Sequence, residues 1–206
     1  MTWQVFPVDD RTLASTASAL AEAFAEDPLF RFLAGDEAAL RRWLPAAQQA
    51  NLRMTLPDGH TYGLRDGGGE VVGGLCLLPP GRFPVPLGRN ASFLWALLTR
   101  PTPWTPAPLR ALRRGLPYLS AWDAMHPTEP HWYLYNLGVH TRVHGRGAGK
   151  RLVAHAIELA EQDARPLYLE TQTEANLGFY RRMGFRILDK REPHPEGPPA
   201  WGLLRD

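Results

Sequence analysis

A glycine-rich turn in the last third of the chain constrains its fold and chemistry more than any other feature. Glycines alternate at Gly145, Gly147 and Gly149, between an apolar run at 132–139 and a stretch with helical periodicity at about 147–163. A glycine turn between a strand and a helix exposes backbone N–H groups at the positive end of the helix dipole. The segment therefore predicts a cradle for a phosphate or pyrophosphate group.

Two familiar phosphate-binding loops are excluded by spacing. A P-loop requires a glycine five residues before the Gly-Lys pair and a Ser or Thr after it. Here position 144 is His144, and Lys150 is followed by Arg151. A dinucleotide-binding fingerprint requires its third glycine where Lys150 stands. The turn therefore matches neither the ATP-type nor the NAD-type pattern.

The hydrophobic pattern around this turn predicts a mixed α/β sheet with helices on both faces. The predicted helices are 13–25, 37–54, 147–163 and 176–183, with Asp27-Pro28 ending the first region. The predicted strands are 2–8, a hairpin of 60–65 and 70–78, then 132–139, 167–171, 185–188 and 201–205. The proline-rich insertion 79–130 is expected to hold one or two short helices, at Ala91–Thr99 and Leu109–Trp122.

Length and composition bound the class of protein. A chain of 206 residues is expected to form a single domain, residues 1–206. A formal net charge of +2 gives no general case for nucleic-acid binding. Cys76 is the only cysteine and lies in an apolar run, which favours a buried structural thiol over a nucleophile. Neither a leader pattern at Met1–Asp10 nor a membrane-length apolar run is evident, so a cytoplasmic protein without membrane contact is expected.

The turn and a second motif downstream resemble the GNAT acetyltransferase superfamily. The first motif is His144-Gly145-Arg146-Gly147-Ala148-Gly149, and the second runs from Asn176 through Tyr180 to Gly184-Phe185. The segments 129–134 and 195–198 further resemble puromycin N-acetyltransferase and its relatives. The resemblance covers 129–206 closely and 11–80 more loosely. It implies the acyl-CoA N-acyltransferase fold, in which helices flank a central, splayed β-sheet.

The resemblance also implies a set of residues that bind acetyl-CoA, here a co-substrate with no metal beside it. His144 stands where the family has Gln or Arg, and the family uses mainly the backbone N–H of that position. Thr173 stands where many members carry Asn, so Asn176 either contacts the cofactor or caps its helix. The expected cofactor-binding residues are Leu137, Gly138, Val139, His144, Gly145, Arg146, Gly147, Ala148, Gly149, Lys150, Asn176 and Tyr180.

Three catalytic tasks follow from acetyl transfer to an amine. A backbone N–H at Leu137, Gly138 or Val139 is expected to stabilise the oxyanion, beside a bulge in the strand. Tyr180 is the general acid that the resemblance implies, because a phenol of pKa about 10 is protonated at neutral pH and can donate to the thiolate.

The base that deprotonates the amine is not fixed by the sequence. Glu170 is the leading candidate and has a salt-bridged strand-end carboxylate as its alternative. Tyr135, which shares a strand face with Tyr133, is a second candidate with core packing as its alternative. Glu26 and Asp27 border the acceptor pocket in one interpretation, whereas in the other Asp27 only ends a helix.

Other polar and aromatic groups stay open between two roles. His140 and His144 are four residues apart but flank a loop, and nothing completes a metal site around them. Arg146 and Arg151 are either pyrophosphate ligands or part of a solvated face. The aromatic residues of the insertion either pack in the core or line an apolar acceptor pocket; they are Trp95, Trp104, Tyr118 and Trp122.

The sequence thus predicts an acetyl-CoA-dependent N-acetyltransferase that acts on a small-molecule amine by direct attack in a ternary complex. One alternative is an acyltransferase that uses longer acyl-CoA donors or modifies protein or peptide amines. Another is a non-catalytic acyl-CoA sensor. The sequence leaves the acceptor, the base and the choice between monomer and homodimer open.

Overall fold

A computed structural model describes residues 2–84 and 107–206, with only the backbone described at 107–109. The helices in this part are α1 Leu13–Phe24, α2 Pro28–Ala34, α3 Glu37–Thr55, α4 Ala107–Met125, α5 Ala148–Gln162 and α6 Ala175–Arg182. The strands are β1 Gln4–Pro7, β2 Thr61–Arg65, β3 Val71–Leu78, β4 Trp132–Val139, β5 Leu167–Thr171, β6 Arg186–Arg191 and β7 Ala200–Arg205. The helix expected at Ala91–Thr99 lies outside the described residues.

The strands form one seven-stranded mixed sheet in the order β1-β2-β3-β4-β5-β7-β6. All neighbouring pairs are antiparallel except β4 and β5, which run parallel and are joined through α5. A parallel pair requires such a crossover, and the glycine turn is its first half. The predicted mixed α/β sheet is therefore confirmed, and the predicted edge strand is β1.

Helices cover both faces of the sheet. On one face, α5 buries an apolar stripe that includes Leu152, Val153 and Ala156. These positions recur with helical spacing and meet the side chains that β4 and β5 direct to the same side. On the other face, α1 buries Leu13, Ala17 and Leu20 against the sheet. Full burial of one leucine side chain contributes about 1.5–3 kcal/mol, so these two stripes hold the sheet between the helices.

One short helix was not expected from the sequence. Asp27-Pro28 was interpreted as the end of the first helical region, but the same pair also begins α2. The Asp27 carboxylate accepts hydrogen bonds from the backbone N–H groups of Leu29 and Phe30, at 2.9 and 3.1 Å. Proline at the first helical position completes a normal helix start, so one dipeptide both ends a helix and begins the next.

The single cysteine fits the expectation from the sequence. Cys76 is fully buried in β3, and burial raises the pKa of its thiol to about 12. It is therefore a structural residue, as predicted. Among the helices of residues 2–84 and 107–206, none has the length and apolar character to cross a bilayer.

Candidate active site

The two parallel strands separate after three residues, and this opens a gap in the sheet. Residues 132–134 of β4 pair with residues 167–169 of β5, and the pairing ends there. Beyond that point β4 continues along β3, while β5 continues along β7. The carboxyl ends of β4 and β5 therefore diverge and leave a gap that none of the strands within residues 2–84 and 107–206 fills.

A bulge in β4 accompanies this separation. Leu134 pairs with Leu77 and Asn136 with Cys76, so Tyr135 is an extra residue without a partner on β3. A bulge bends its strand and increases the local twist, which turns the end of β4 away from β5. The bulge expected from the family resemblance is present, and it lies at Tyr135.

The register decides which backbone groups of β4 face the gap. The N–H of His140 donates to the carbonyl of Val72 at 2.7 Å, which fixes that pair as hydrogen-bonded. Hydrogen-bonded and non-bonded pairs alternate along an antiparallel ladder. The backbone groups of Leu137 and Val139 therefore point away from β3 and into the gap, while those of Gly138 point towards β3.

Gly138 has a packing role. A Cβ at this position would lie 2.8 Å from the Cβ of Ala23 in α1 and 3.1 Å from the ring of Phe24. Glycine therefore allows α1 to approach the sheet beside the gap. Of the three residues expected to offer the oxyanion donor, the register favours Leu137 and Val139 over Gly138.

The glycine turn lies where β4 leaves the sheet and α5 begins. Gly145 and Gly147 have positive φ angles of 73° and 86°, a conformation that favours glycine. Gly147 is the N-cap of α5, and the N–H of Arg151 is the first to bond back, to the Gly147 carbonyl at 3.0 Å. Within the described hydrogen bonds, the N–H groups of residues 148–150 have no acceptor. Unpaired N–H groups at a helix start are the arrangement that suits an anion, which stays the prediction made from the sequence.

The backbone N–H of His144 is already used within the turn. It donates to the carbonyl of Thr141 at 3.1 Å, and the imidazole Nε2 lies 3.0 Å from the carbonyl oxygen of Val139. The expectation that His144 offers its backbone N–H to the cofactor does not fit this geometry. The 3-10 turn at 141–143 consumes that donor, and the side chain instead ties the loop to the end of β4.

The basic side chains near the loop differ in how firmly other groups hold them. Arg142 contacts the carboxylates of Glu70 at 2.8 Å and Asp66 at 3.7 Å, which fixes it on the β2–β3 hairpin. Arg151 lies 3.3 Å from Glu158. Lys150 is exposed in the first turn of α5. The loop is therefore electropositive through its free N–H groups and Lys150 more than through Arg142.

Tyr180 lies on the face of the sheet that α5 covers. Its side chain is 6% exposed and packs edge-on against Phe185, with ring centroids 5.7 Å apart. Burial raises the pKa of the phenol to about 12. Tyr180 is therefore fully protonated at neutral pH and suited to donate a proton.

Asn176 does not cap its helix. The helix α6 begins at Ala175 with Glu174 as its N-cap residue, so Asn176 already lies in the first turn. Its side-chain amide instead donates to Thr171 Oγ1 at 3.4 Å. The capping interpretation was wrong, because the turn at Thr173 starts the helix earlier than the sequence suggested.

Glu170 lies on the opposite face of the sheet from Tyr180. It is the first residue of β5 beyond the last pair with β4, and its side chain is 5% exposed. Its carboxylate raises the pKa values of Tyr133 and Tyr168, which burial has already raised. One Glu170 oxygen lies 3.5 Å from His126 Nδ1. The two leading catalytic candidates thus lie on opposite faces of the sheet.

Tyr135, the second candidate base, is hydrogen-bonded to helix α3. Tyr135 packs against Tyr133, with ring centroids 5.7 Å apart, and its hydroxyl donates to Asn51 Oδ1 at 3.3 Å. Burial raises the pKa of Tyr135, with smaller contributions from Cys76 and Glu170. A phenol that is this hard to ionise is a poor base, so the geometry favours the packing role.

The end of α1 and the start of α2 border the gap near β5. Asp27 is half-buried, and Thr173, which follows β5, donates to its carboxylate at 3.5 Å. Burial raises the pKa of Asp27, although the hydrogen bonds from Phe30 and Leu29 oppose that shift. Glu26 is exposed and pairs with Arg31 at 2.7 Å. Asp27 is therefore a helix cap beside the site, and Glu26 belongs to the surface.

The aromatic residues of the insertion divide between the core and the undescribed segment. Tyr118 is 1% exposed and its hydroxyl donates to the carbonyl of Pro198 at 2.6 Å, which ties α4 to the β6–β7 loop. Trp122 has a buried indole N–H without a hydrogen-bond partner. Trp95 and Trp104 lie outside the described residues. Tyr118 is thus a core residue.

Sequence reasoning missed two histidines beside Glu170. His126 follows α4, and His131 immediately precedes β4. Their Nε2 atoms lie 2.9 Å apart. The segment 129–134 drew attention only through its family resemblance, and the five-residue spacing of the two histidines gave no signal of its own.

Comparison with known proteins gives the family of this region. Residues 116–185 match the model of the acetyltransferase (GNAT) family. The matched segment begins within α4 and ends at Phe185. It therefore contains both strands of the gap, the glycine turn and Tyr180, and over this segment it agrees with the superfamily that the sequence predicts.

Solved structures agree on the fold. A histone acetyltransferase-related protein from Corynebacterium glutamicum has a TM-score of 0.72 at 22% identity, over 100% of this chain and 96% of that chain. An arylalkylamine N-acetyltransferase from Aedes aegypti has a TM-score of 0.70 at 13% identity, over 100% and 99%. A polyamine N-acetyltransferase from Drosophila melanogaster has a TM-score of 0.64 at 15% identity, over 98% and 99%. At these identities the likeness shows the fold alone.

Proposed function

We propose that this protein transfers the acetyl group of acetyl-CoA to the amine of a small molecule, and the match of residues 116–185 to the acetyltransferase (GNAT) family model supports the proposal. The two substrates bind together, and the amine attacks the thioester directly. The observation that carries this proposal is the gap between β4 and β5, with the glycine turn at its end.

The gap fits the donor in two ways. Free N–H groups at the start of α5 suit the pyrophosphate of CoA, which is the most strongly charged part of the molecule. The backbone groups of Leu137 and Val139 that face the gap suit the amide-containing pantetheine arm. The Val139 carbonyl already lies 3.0 Å from His144 Nε2, so the groups left for an extended amide chain along β4 are the N–H of Val139 and the N–H and carbonyl of Leu137.

The chemistry requires an oxyanion donor and an acid for the thiolate. A backbone N–H of β4 at Leu137 or Val139 stabilises the negative charge on the thioester oxygen. The amine nitrogen forms a bond to the acyl carbon, and the carbon–sulfur bond breaks with its electron pair on sulfur. Tyr180 gives the sulfur a proton, which its raised pKa keeps available at neutral pH.

The amine needs a base because an alkylammonium has a pKa of about 10.4. We assign this role to Glu170, whose carboxylate lies at the start of the gap on the face opposite Tyr180. The arrangement lets the acceptor approach from one face and the sulfur leave towards the other. For each acetyl group transferred, an ammonium and a thioester become an amide, a thiol and one released proton.

A small amine is the acceptor that we favour. Two proteins with this fold are an arylalkylamine N-acetyltransferase and a polyamine N-acetyltransferase. The walls on the Glu170 side are aromatic, since Tyr133, Tyr168 and Phe83 lie close to one another there. We further propose that residues 1–206 act as one catalytic domain in the cytoplasm, supported by the single continuous sheet and the reduced, buried Cys76.

A labelled-product experiment tests this function. Purified protein is incubated with acetyl-CoA that carries ¹³C in the acetyl group, together with a panel of alkylamines, arylalkylamines, polyamines and peptides. Mass spectrometry of the products and detection of the free thiol then report transfer. We expect labelled amides of small amines, with thiol released in equal amount. If only peptides were labelled, the acceptor would be a peptide amine and not a small molecule. If no amine were labelled, the proposed enzymatic activity would be refuted in favour of a binding module.

A further inference from the structure

Three buried polar side chains form a line that leads from the gap to the protein surface. The line starts at Glu170, whose Oε1 lies 3.5 Å from His126 Nδ1. The Nε2 atom of His126 lies 2.9 Å from His131 Nε2. The line ends where His131 Nδ1 lies 2.6 Å from the backbone carbonyl of Glu129.

The number of protons in this line follows from its end groups. A carbonyl oxygen only accepts hydrogen bonds, and a carboxylate does the same. The three contacts between Glu129 O, the two imidazoles and Glu170 therefore need three protons, one for each contact. Two neutral imidazoles carry only two protons. The line is complete only when it holds one additional proton, on either imidazole or on Glu170.

The surroundings of the line favour such a shared proton. The side chains of His126 and Glu170 are 6% and 5% exposed, and Phe83 stacks on the His126 ring at 3.6 Å. The negative charge of the Glu170 carboxylate and the positive charge of one additional proton cancel, so the three side chains together are neutral. This avoids the cost of an isolated buried charge. Among the described residues, neither His126 Nδ1 nor Glu170 Oε1 makes a hydrogen bond, although these buried atoms lie 3.5 Å apart, and one proton between them would give each a partner.

We propose that Glu170, His126 and His131 form a relay that carries the acceptor's ammonium proton from the gap to the solvent. The relay rests on the proposed acetyl transfer and adds a path for its released proton. Glu170 accepts a proton from the ammonium and passes it to His126 Nδ1, and His126 in turn passes its Nε2 proton to His131 Nε2. His131 releases a proton at the surface. One proton enters and one leaves, so the number of protons on the three side chains does not change.

The exit end of the relay has suitable properties. His131 is 9% exposed and follows the exposed residues Glu129 and Pro130. Burial lowers the pKa of His131, so this imidazole does not retain an additional proton at neutral pH. The titratable groups that face His126 are Glu170 and Tyr168 on β5, Tyr133 on β4, and His131. Burial raises the pKa values of both tyrosines, so they stay neutral and do not compete for the proton.

Nuclear magnetic resonance of the ligand-free protein tests the line without any turnover. Two-bond ¹H–¹⁵N spectra identify which imidazole nitrogens carry protons. We expect His131 to be protonated at Nδ1, and the two Nε2 atoms to share a proton at neutral pH. Two neutral imidazoles that are both protonated at Nε2 could not form the 2.9 Å contact, and this result would overturn the relay.

Kinetics of His126→Gln test what the line does. An alkylamine is neutral at pH 7.5 in roughly one molecule in a thousand, and raising the pH to 9.5 increases that fraction roughly 100-fold. We expect kcat for an alkylamine to fall ~10- to 100-fold at pH 7.5, up to the lower end of the range for a proton-transfer group. The loss should shrink at pH 9.5, and it should be small for an arylamine that is already neutral at pH 7.5.

The control variant is His155→Gln. His155 is also a partly buried imidazole, packed against Tyr62 at 4.4 Å, but it lies on α5 away from the gap. We expect its pH profile to match that of the wild type. If His126→Gln fails to fold, His126→Asn and the wild-type spectra still decide the question.

The outcomes separate the relay from the proposed function. Equal losses at every pH and for both kinds of amine would show a structural role and overturn the relay, as would an unchanged alkylamine rate. Both results leave acetyl transfer intact. A wild-type protein that acetylates no amine would refute the transfer and the relay together.

Discussion

The removal of one hydroxyl group tests the role of Tyr180. Tyr180→Phe deletes the proposed proton donor and keeps the ring that packs against Phe179 and Phe185. No described hydrogen bond uses the Tyr180 hydroxyl, so the substitution breaks none of those that hold the fold. A loss of activity with an intact fold would therefore come from the lost proton donor.

The size of the effect follows from the pKa. Burial raises the pKa of Tyr180 to about 12. At pH 7.5 only roughly 3 in 100,000 molecules would carry the phenolate, so nearly every wild-type molecule has the proton ready. A positioned acid contributes about 10²–10⁴-fold. We therefore expect kcat to fall by about 10²-fold or more, which is about 2.7 kcal/mol in the activation free energy.

The assay compares single-turnover rates and acetyl-CoA affinity in two matched variants. Tyr118→Phe also removes one buried hydroxyl, but it breaks the 2.6 Å bond to Pro198 in the core. It should lower the free energy of unfolding by about 0.5–1.5 kcal/mol and leave the rate near that of the wild type. Tyr180→Phe should lower the single-turnover rate and leave the free energy of unfolding near that of the wild type. An unchanged single-turnover rate in Tyr180→Phe would remove this residue from the acid role.

Three further substitutions have expected results. Gly147→Ala forces a side chain into a φ of 86°, so it should lower the free energy of unfolding by about 1–2 kcal/mol and Tm by about 2–8 °C. Gly149→Ala, in the helix, is the control and should leave Tm unchanged. Calorimetric melting of the two variants compares them. Leu137→Pro removes an N–H that faces the gap without breaking a ladder bond, so kcat should fall about 10²–10³-fold while circular dichroism shows a retained fold; an unaffected rate would assign the oxyanion to another donor. Asp27→Asn keeps the helix cap and removes a half-buried charge. Because desolvation raises the folded pKa of Asp27, the wild type loses stability as the pH rises from the unfolded pKa of about 3.9 through the folded pKa. The variant should therefore match wild-type Tm at low pH and exceed it above that window, and a constant difference in Tm would contradict this sign.

Much of the fold was accessible from local patterns. Strands β4 and β5 were predicted with their observed bounds, because an apolar run is followed in each case by turn residues. Helix α2 was not predicted, since seven residues are too few to show a period, and Asp27-Pro28 resembles a helix end as much as a helix start. The place of β7 between β5 and β6 depends on long-range pairing that no local pattern encodes.

The candidate site shows the same division. The glycine turn and Tyr180 are sequence motifs, so their residues could be named in advance. The choice among Leu137, Gly138 and Val139 needed the strand register, which the bulge at Tyr135 shifts by one residue. The contact of Glu170 with His126 joins residues 44 positions apart in sequence, and only the packing of α4 against the sheet brings them together. The use of the His144 N–H by Thr141 likewise depends on the conformation of the turn.

Calorimetric titration of the purified protein with acetyl-CoA tests the central claim most directly. If the gap and the glycine turn hold the donor, the titration should show one site per chain, and added salt should weaken binding by screening the pyrophosphate from Lys150 and the start of α5. Gly147→Ala should weaken the same binding in proportion to the distortion of the turn. The absence of binding at high micromolar acetyl-CoA, with a folded protein, would contradict the account.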